Sequence, residues 1–240
     1  MKKSTLFSLL SILVLIPGTL YLGTRMTGRW YYLTCTLIVI ELMLPFFLSF
    51  EARKPQPREL VTIAVMAALA AASRGAFAFI PHFKPITAII MITGIAFGAE
   101  TGFLTGAIAA FASNFMFGQG PWTPWQMMAY GFGGFLAGLL FHKRKLMKKP
   151  MVGSIILSVF GFLSILCIVG PLLDCCTIFT TGSQITPAFV ATILASGLLV
   201  NVTHGLGCAA TMLLFSRPLL DKLNRLQVKY GMMEGERNGL

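Results

Sequence analysis

What most constrains this chain is a recurrence. Apolar, nearly uncharged runs of roughly 20 residues, the length a helix needs to cross a hydrocarbon core, return repeatedly between short charged clusters. The first spans about Ser4–Leu22 behind Lys2 and Lys3. The second spans about Trp30–Phe50 and opens with Trp30, Tyr31 and Tyr32, side chains suited to a water–lipid interface. The start resembles a secretory signal, but no small-x-small cleavage pattern follows and another run comes at once, so an uncleaved helix is expected. Composition agrees: 56% of the 240 residues are hydrophobic, 11% are charged, and the mean hydropathy is +0.79. A soluble domain carries about 25% charged residues. A soluble enzyme, a secreted disulfide scaffold and a disordered chain are therefore excluded, and the expectation is an all-α integral membrane protein.

Residues 51–59 are the most polar stretch between runs, with Pro55 and Pro57 among charged side chains, and read as a linker. It separates a two-helix front piece (1–50) from a six-helix body (60–215), which a basic tail (216–240) follows. The body opens with about Leu60–Phe79. The apolar stretch Pro85–Phe117 would be roughly 48 Å long as one helix, too long for a single crossing. It is expected to fold back at Glu100, its one charge, into about Ile86–Gly98 and Thr101–Phe117. Three more helices follow at about Thr123–Phe141, Val152–Cys176 and Thr186–Phe215. The Thr-Pro pairs at Thr123-Pro124 and Thr186-Pro187 read as helix starts, with Gln126 at the reciprocal capping position of the first. About eight transmembrane helices result.

The chain carries 19 Lys+Arg against 8 Asp+Glu. With the N-terminus inside, only Arg25, Arg29, Arg74 and Lys84 fall on the outer side, and the basic loop His142–Lys149 lies within. The positive-inside rule then places both termini in the cytoplasm. The same rule accounts for the basic excess, since no basic stripe interleaved with aromatics marks a nucleic-acid partner.

Small residues at four-residue spacing mark faces where helix backbones approach closely. One ladder is Gly94, Gly98, Gly102 and Gly106, read as internal packing. The other is Ala64, Ala68 and Ala72, which suits either internal packing or a docking face for a separate membrane protein. Between two body helices lies Asn114-Phe115-Met116-Phe117-Gly118-Gln119-Gly120-Pro121-Trp122-Thr123-Pro124-Trp125-Gln126, whose polar groups are all neutral. Asn114, Gln119 and Gln126 offer paired donors and acceptors, and Trp122 and Trp125 offer flat faces, as an uncharged or amide-bearing solute would need. An interfacial aromatic anchor is the competing reading. Tyr130 is a further candidate, as are Asn201 and His204, one turn apart in the last helix, where unpaired polar groups are costly and often functional. His82, Lys84, Arg74 and Asp174 are placed toward the outer side, and Glu41 sits inside the second run without an evident partner.

No GxSxG elbow, HExxH pair or phosphate-binding GxxxxGK[ST] loop occurs, so neither catalysis nor ATP hydrolysis is expected of this chain. Cys35, Cys167, Cys175, Cys176 and Cys208 form no metal-binding spacing. No metal or cofactor is expected.

Three features together resemble the substrate-binding S components of energy-coupling factor (ECF) transporters, over about Arg58–Phe215. They are Arg58-Glu59 leading into the alanine-rich Ala64–Arg74, the short hairpin turning at Glu100, and the loop Gly118-Gln119-Gly120-Pro121-Trp122-Thr123-Pro124-Trp125-Gln126. The resemblance implies that Ala64, Ala68 and Ala72 dock on a transmembrane coupling protein bound to two cytoplasmic ATPases. It also implies a vitamin pocket closed by the outer loops, within a fold that topples in the membrane to release cargo. The loop looks most like that of the cobalamin-type members, which makes a corrinoid the expected cargo, with riboflavin or another ring-bearing vitamin as alternatives. A rival from another class is a self-sufficient secondary transporter, in which Glu41, Asp174 and His204 would have to meet as a proton relay.

Overall fold

The computed structural model describes residues 14–16, 18, 19, 21, 30–142, 150–181 and 185–231, and these contain helices and no strand. Most of the run Ser4–Leu22, the loop 143–149 and the last residues, 232–240, lie outside the described residues. In chain order the helices are α1 (Trp30–Ala52), α2 (Pro57–Ala76), α3 (Ile86–Phe97), α4 (Ala99–Phe117) and α5 (Thr123–Phe141). Then α6 (Pro150–Ser164) runs through a π-helical segment, Ile165–Val169, into α7 (Gly170–Thr180), and α8 (Pro187–Tyr230) closes the fold. Four helical stretches are long and apolar enough to cross a membrane: Leu33–Ala52, Pro57–Ala76, Met151–Thr180 and Pro187–Tyr230.

The centre is α3. Every one of its residues is buried, and at 12 residues it is only about 18 Å long, shorter than a hydrocarbon core of about 30 Å. Such a segment is enclosed by other helices rather than by lipid, and α2, α4, α5 and α8 all pack on it. Glycines set the spacing. A Cβ on Gly94 would stand 2.2 Å from the Gly134 carbonyl oxygen, and one on Gly102 only 2.5 Å from the same atom. Backbones of α3, α4 and α5 thus touch directly, as small residues allow in lipid, where no hydrophobic drive joins helices. The turn between α3 and α4 falls at Gly98 (φ 99°), a conformation that favours glycine. That is two residues before the expected Glu100, which instead joins the first turn of α4, where Ser49 donates to it.

The long helix of residues 150–180 steps around Pro171. Proline lacks an N–H and its ring crowds the carbonyl four residues back, and the wider π turn at Ile165–Val169 lies immediately before it. The last helix also departs from expectation, continuing past Phe215 to Tyr230. Leu220 and Leu223 are buried, the Gln227 side chain donates to the Ala96 carbonyl at 2.8 Å, and Arg58 donates to the Tyr230 carbonyl at 2.7 Å. The extension is an amphipathic helix seated beneath α2 and α3, so the basic segment after residue 215 begins as structure rather than as a tail.

Helix α1, the part of the two-helix front piece that the structure describes as one continuous helix, packs on α4, α5 and α7 of the body. Phe46 stacks on Phe103 with ring centroids 4.0 Å apart, and Arg53 pairs with Glu59 at 3.2 Å and Glu100 at 3.8 Å. The expected linker is correspondingly short, since α2 already begins at Pro57.

Candidate substrate-binding site

A cavity of about 340 Å³ opens among the α2–α3 loop, the start of α5, α7 and α8. The loop supplies Lys84, and α5 supplies Trp122 and Gln126 near its first turn. Helix α7 contributes Leu173, Asp174, Cys176 and Thr177, which the π step sets against α8. From α8 come Ile193, Ser196, Gly197, Val200, Asn201 and His204, a run of three- and four-residue steps that is one helical face.

Polar groups line this wall in fixed positions. The Asn201 amide donates to an Asp174 carboxylate oxygen at 2.8 Å. Glycine permits both placements: a Cβ on Gly197 would lie 2.4 Å from Asp174 Oδ1, and one on Gly170 would lie 2.3 Å from Asn201 Cγ. His204 is buried, 3.2 Å by its Nε2 from the Thr87 hydroxyl, with the Tyr130 ring edge-on at 6.1 Å between centroids. Lys84 and Asp174 line the same cavity, yet neither forms an ion pair among the described residues. Two unlike charges, two carboxamides and an exposed indole therefore line one space. Among the described residues the buried Gln126 Oε1 has no hydrogen-bond partner, and neither has the Tyr130 hydroxyl one turn along α5.

The family model for ECF-type riboflavin transporter S components matches residues 54–219, more than half of the chain and all of this cavity. The chain belongs to that family. It is accordingly a multi-pass membrane protein and a substrate-binding transport subunit rather than an enzyme. No curated protein and no solved structure matches it. The riboflavin-type match lends no support to the cobalamin expectation.

The geometry of this S component sorts the residues singled out by sequence. Trp122, Gln126, Asn201 and His204 line the cavity. Tyr130 lies buried behind His204. Asn114 and Gln119 do not line it. Asn114 is buried, accepting from Arg74 and donating to Thr123, while Gln119 donates to the Phe111 carbonyl and accepts from Thr123. Trp125 faces the other way, stacked on Phe179 at 5.7 Å between centroids and packed with Val39 and Cys176. Thr123 does not cap α5. Trp122 takes the N-cap position in a helical conformation, and the threonine hydroxyl serves the loop instead, whereas Thr186 does cap α8 by accepting from the Phe189 N–H.

Ala64, Ala68 and Ala72 are exposed along α2, while Ala67, Ala70 and Ala71 are buried. Of the groups a proton relay would need, Asp174 and His204 share the cavity. Glu41 does not line it and accepts instead from Thr19. No cluster of three or more metal-ligating side chains exists among the described residues. Sequence reading missed Thr177 and Ser196 altogether. The signal for Ser196 was the face of α8 on which it and Gly197 align with Asn201 and His204, whereas Thr177 lies on α7, one turn before Thr181 and three residues after Asp174.

Proposed function

We propose that this chain is the riboflavin-binding subunit of an ATP-driven importer, capturing the vitamin at the extracellular face. The observation carrying this reading is the cavity itself, which lies inside the segment matched by the riboflavin-type family. Its volume of about 340 Å³ sits near the lower end of the ~300–1,000 Å³ range of small-molecule sites. That suits a fused tricyclic ring with a short polyol, whereas a corrin with its nucleotide tail is far bulkier. The chemistry also corresponds. An isoalloxazine offers an imide N–H flanked by two carbonyls and a flat face. Asp174 can accept the N–H, Lys84 and Asn201 can donate to carbonyls, and Trp122 can stack.

Transport requires a motor, since the chain has no phosphate-binding loop. We assign that role to a transmembrane coupling subunit with two cytoplasmic ATPases, docked on the outward row Ala64, Ala68 and Ala72. Both termini lie in the cytoplasm in this reading, and loop 118–122 faces outside. The test is direct: chain purified in detergent should quench the fluorescence of added riboflavin at one equivalent and remain unaffected by cobalamin. Absence of quenching, or displacement of riboflavin by cobalamin, would reject the vitamin assignment. Accumulation of riboflavin by the chain alone in liposomes under a pH gradient would favour the secondary-transporter reading instead.

A further inference from the structure

Arg74 ends the helix that carries the outward alanine row, and it does not line the cavity. Its guanidinium has no acidic partner among the described residues. One terminal nitrogen donates to the Ser113 hydroxyl at 2.7 Å and to Asn114 Oδ1 at 2.9 Å, and the group lies over the Phe117 ring at 4.4 Å. Both acceptors are buried. The C-terminal end of a helix favours a cation, but that attraction does not require two bonds to buried neutral acceptors, which tie this half-buried guanidinium to the end of α4.

The hydrogen bonds continue from there. Asn114 donates to the Thr123 hydroxyl at 3.1 Å, which donates onward to Gln119 Oε1 at 2.9 Å and accepts from the Gly120 N–H at 3.3 Å. Gly120 lies against the Trp122 indole, where a Cβ would stand 2.5 Å from the ring, and the indole N–H reaches the Gly118 carbonyl at 3.3 Å. Trp122 and Gln126, at the far end of this chain, line the cavity. Every link between Arg74 and the cavity rim is thus a named contact.

We propose that Arg74 is a positioning residue that fixes loop 118–122, and with it Trp122, over the substrate cavity. The assignment of riboflavin as the probe rests on the function proposed above, but the mechanical claim does not. Through Arg74 the same helix that presents the docking row also holds the rim of the binding site, so the two surfaces share one rigid part.

Two measurements on the purified full chain test it. Hydrogen–deuterium exchange without ligand should show residues 118–123 exchanging faster in Arg74→Ala, with α3 and the remainder of α5 unchanged. Arg74→Lys, which keeps the charge but loses the planar fork, should fall between Arg74→Ala and the unaltered chain, and serves alone if Arg74→Ala does not fold. Riboflavin affinity should fall about tenfold in Arg74→Ala, the scale of one lost charged hydrogen bond. On a Trp122→Ala background the same change should cost about twofold or less, because the group being positioned is gone. Unchanged exchange in 118–123 overturns the proposal whether or not riboflavin binds. Faster exchange with undiminished riboflavin affinity, or additive losses in the double variant, also overturns it by reducing Arg74 to a loop staple. If the unaltered chain fails to bind riboflavin, the vitamin assignment falls and the exchange arm still decides Arg74.

Discussion

Asn201 on α8 donates to Asp174 on α7 across 2.8 Å, so the acid lining the cavity is held by the helix that supplies much of the opposite wall. With one oxygen engaged, the other remains able to accept from a ligand. Asp174→Asn keeps the shape and removes the charge. Riboflavin affinity is expected to fall roughly 10- to 100-fold, the range for a lost charged hydrogen bond. Fluorescence titration measures it, and unchanged affinity would remove Asp174 from the site.

Gly197 provides a subtler probe of the same acid. A methyl group there would meet Asp174 Oδ1 at 2.4 Å, and the carboxylate is the part that must give. Gly197→Ala is therefore expected to weaken riboflavin binding while leaving the melting temperature nearly unchanged, since alanine is also the better helix former. Equal loss of melting temperature and affinity would place the strain in the backbone instead.

How far this arrangement was legible in the sequence varies by element. The boundaries of α5 matched Thr123–Phe141 because turn-forming Gly and Pro precede it and a basic loop follows. The fold-back between α3 and α4 followed from length alone, although Gly98 rather than Glu100 makes the turn. The extension of α8 was hidden because charge was read as the end of a membrane run. Leu219, Leu220, Leu223 and Leu226 were nonetheless spaced to bury one face. In the site, neutral amides were read as ligand contacts by type. Type does not disclose whether an amide's partner is protein or solute: Gln126 lines the cavity and its Oε1 has no partner among the described residues, while Asn114 is occupied by Arg74 and Thr123. The part played by α7 depended on a π step that periodicity does not announce.

Gly134 tests packing rather than binding. Its own Cβ would stand 2.4 Å from the Gly102 carbonyl, a backbone atom that cannot rotate away. Gly134→Ala is expected to destabilise the helical core by about 1–3 kcal/mol, the usual cost of overpacking. A lower thermal midpoint, partly restored by saturating riboflavin through mass action, is the expected reading. An unaltered midpoint would mean that α4 and α5 separate easily.

The row proposed for docking yields the sharpest separation of roles. Ala68 is exposed at the middle of α2, four residues from Ala64 and four from Ala72, while Ala70 lies on the opposite face and Ala67 and Ala71 flank the row where it turns into the bundle. Because Ala68 is exposed and does not line the cavity, a bulky side chain there is expected to leave the bundle interior in place. It would block close backbone approach by a partner helix, the one interaction small residues permit in lipid. Ala68→Trp is therefore expected to leave riboflavin affinity within about twofold and to abolish ATP-dependent uptake in vesicles containing the coupling subunit and its ATPases. Co-purification with that module should fall in parallel. Uptake surviving the tryptophan would show that the partner docks elsewhere on the protein, whereas loss of both binding and uptake would show that this face of α2 supports the cavity after all.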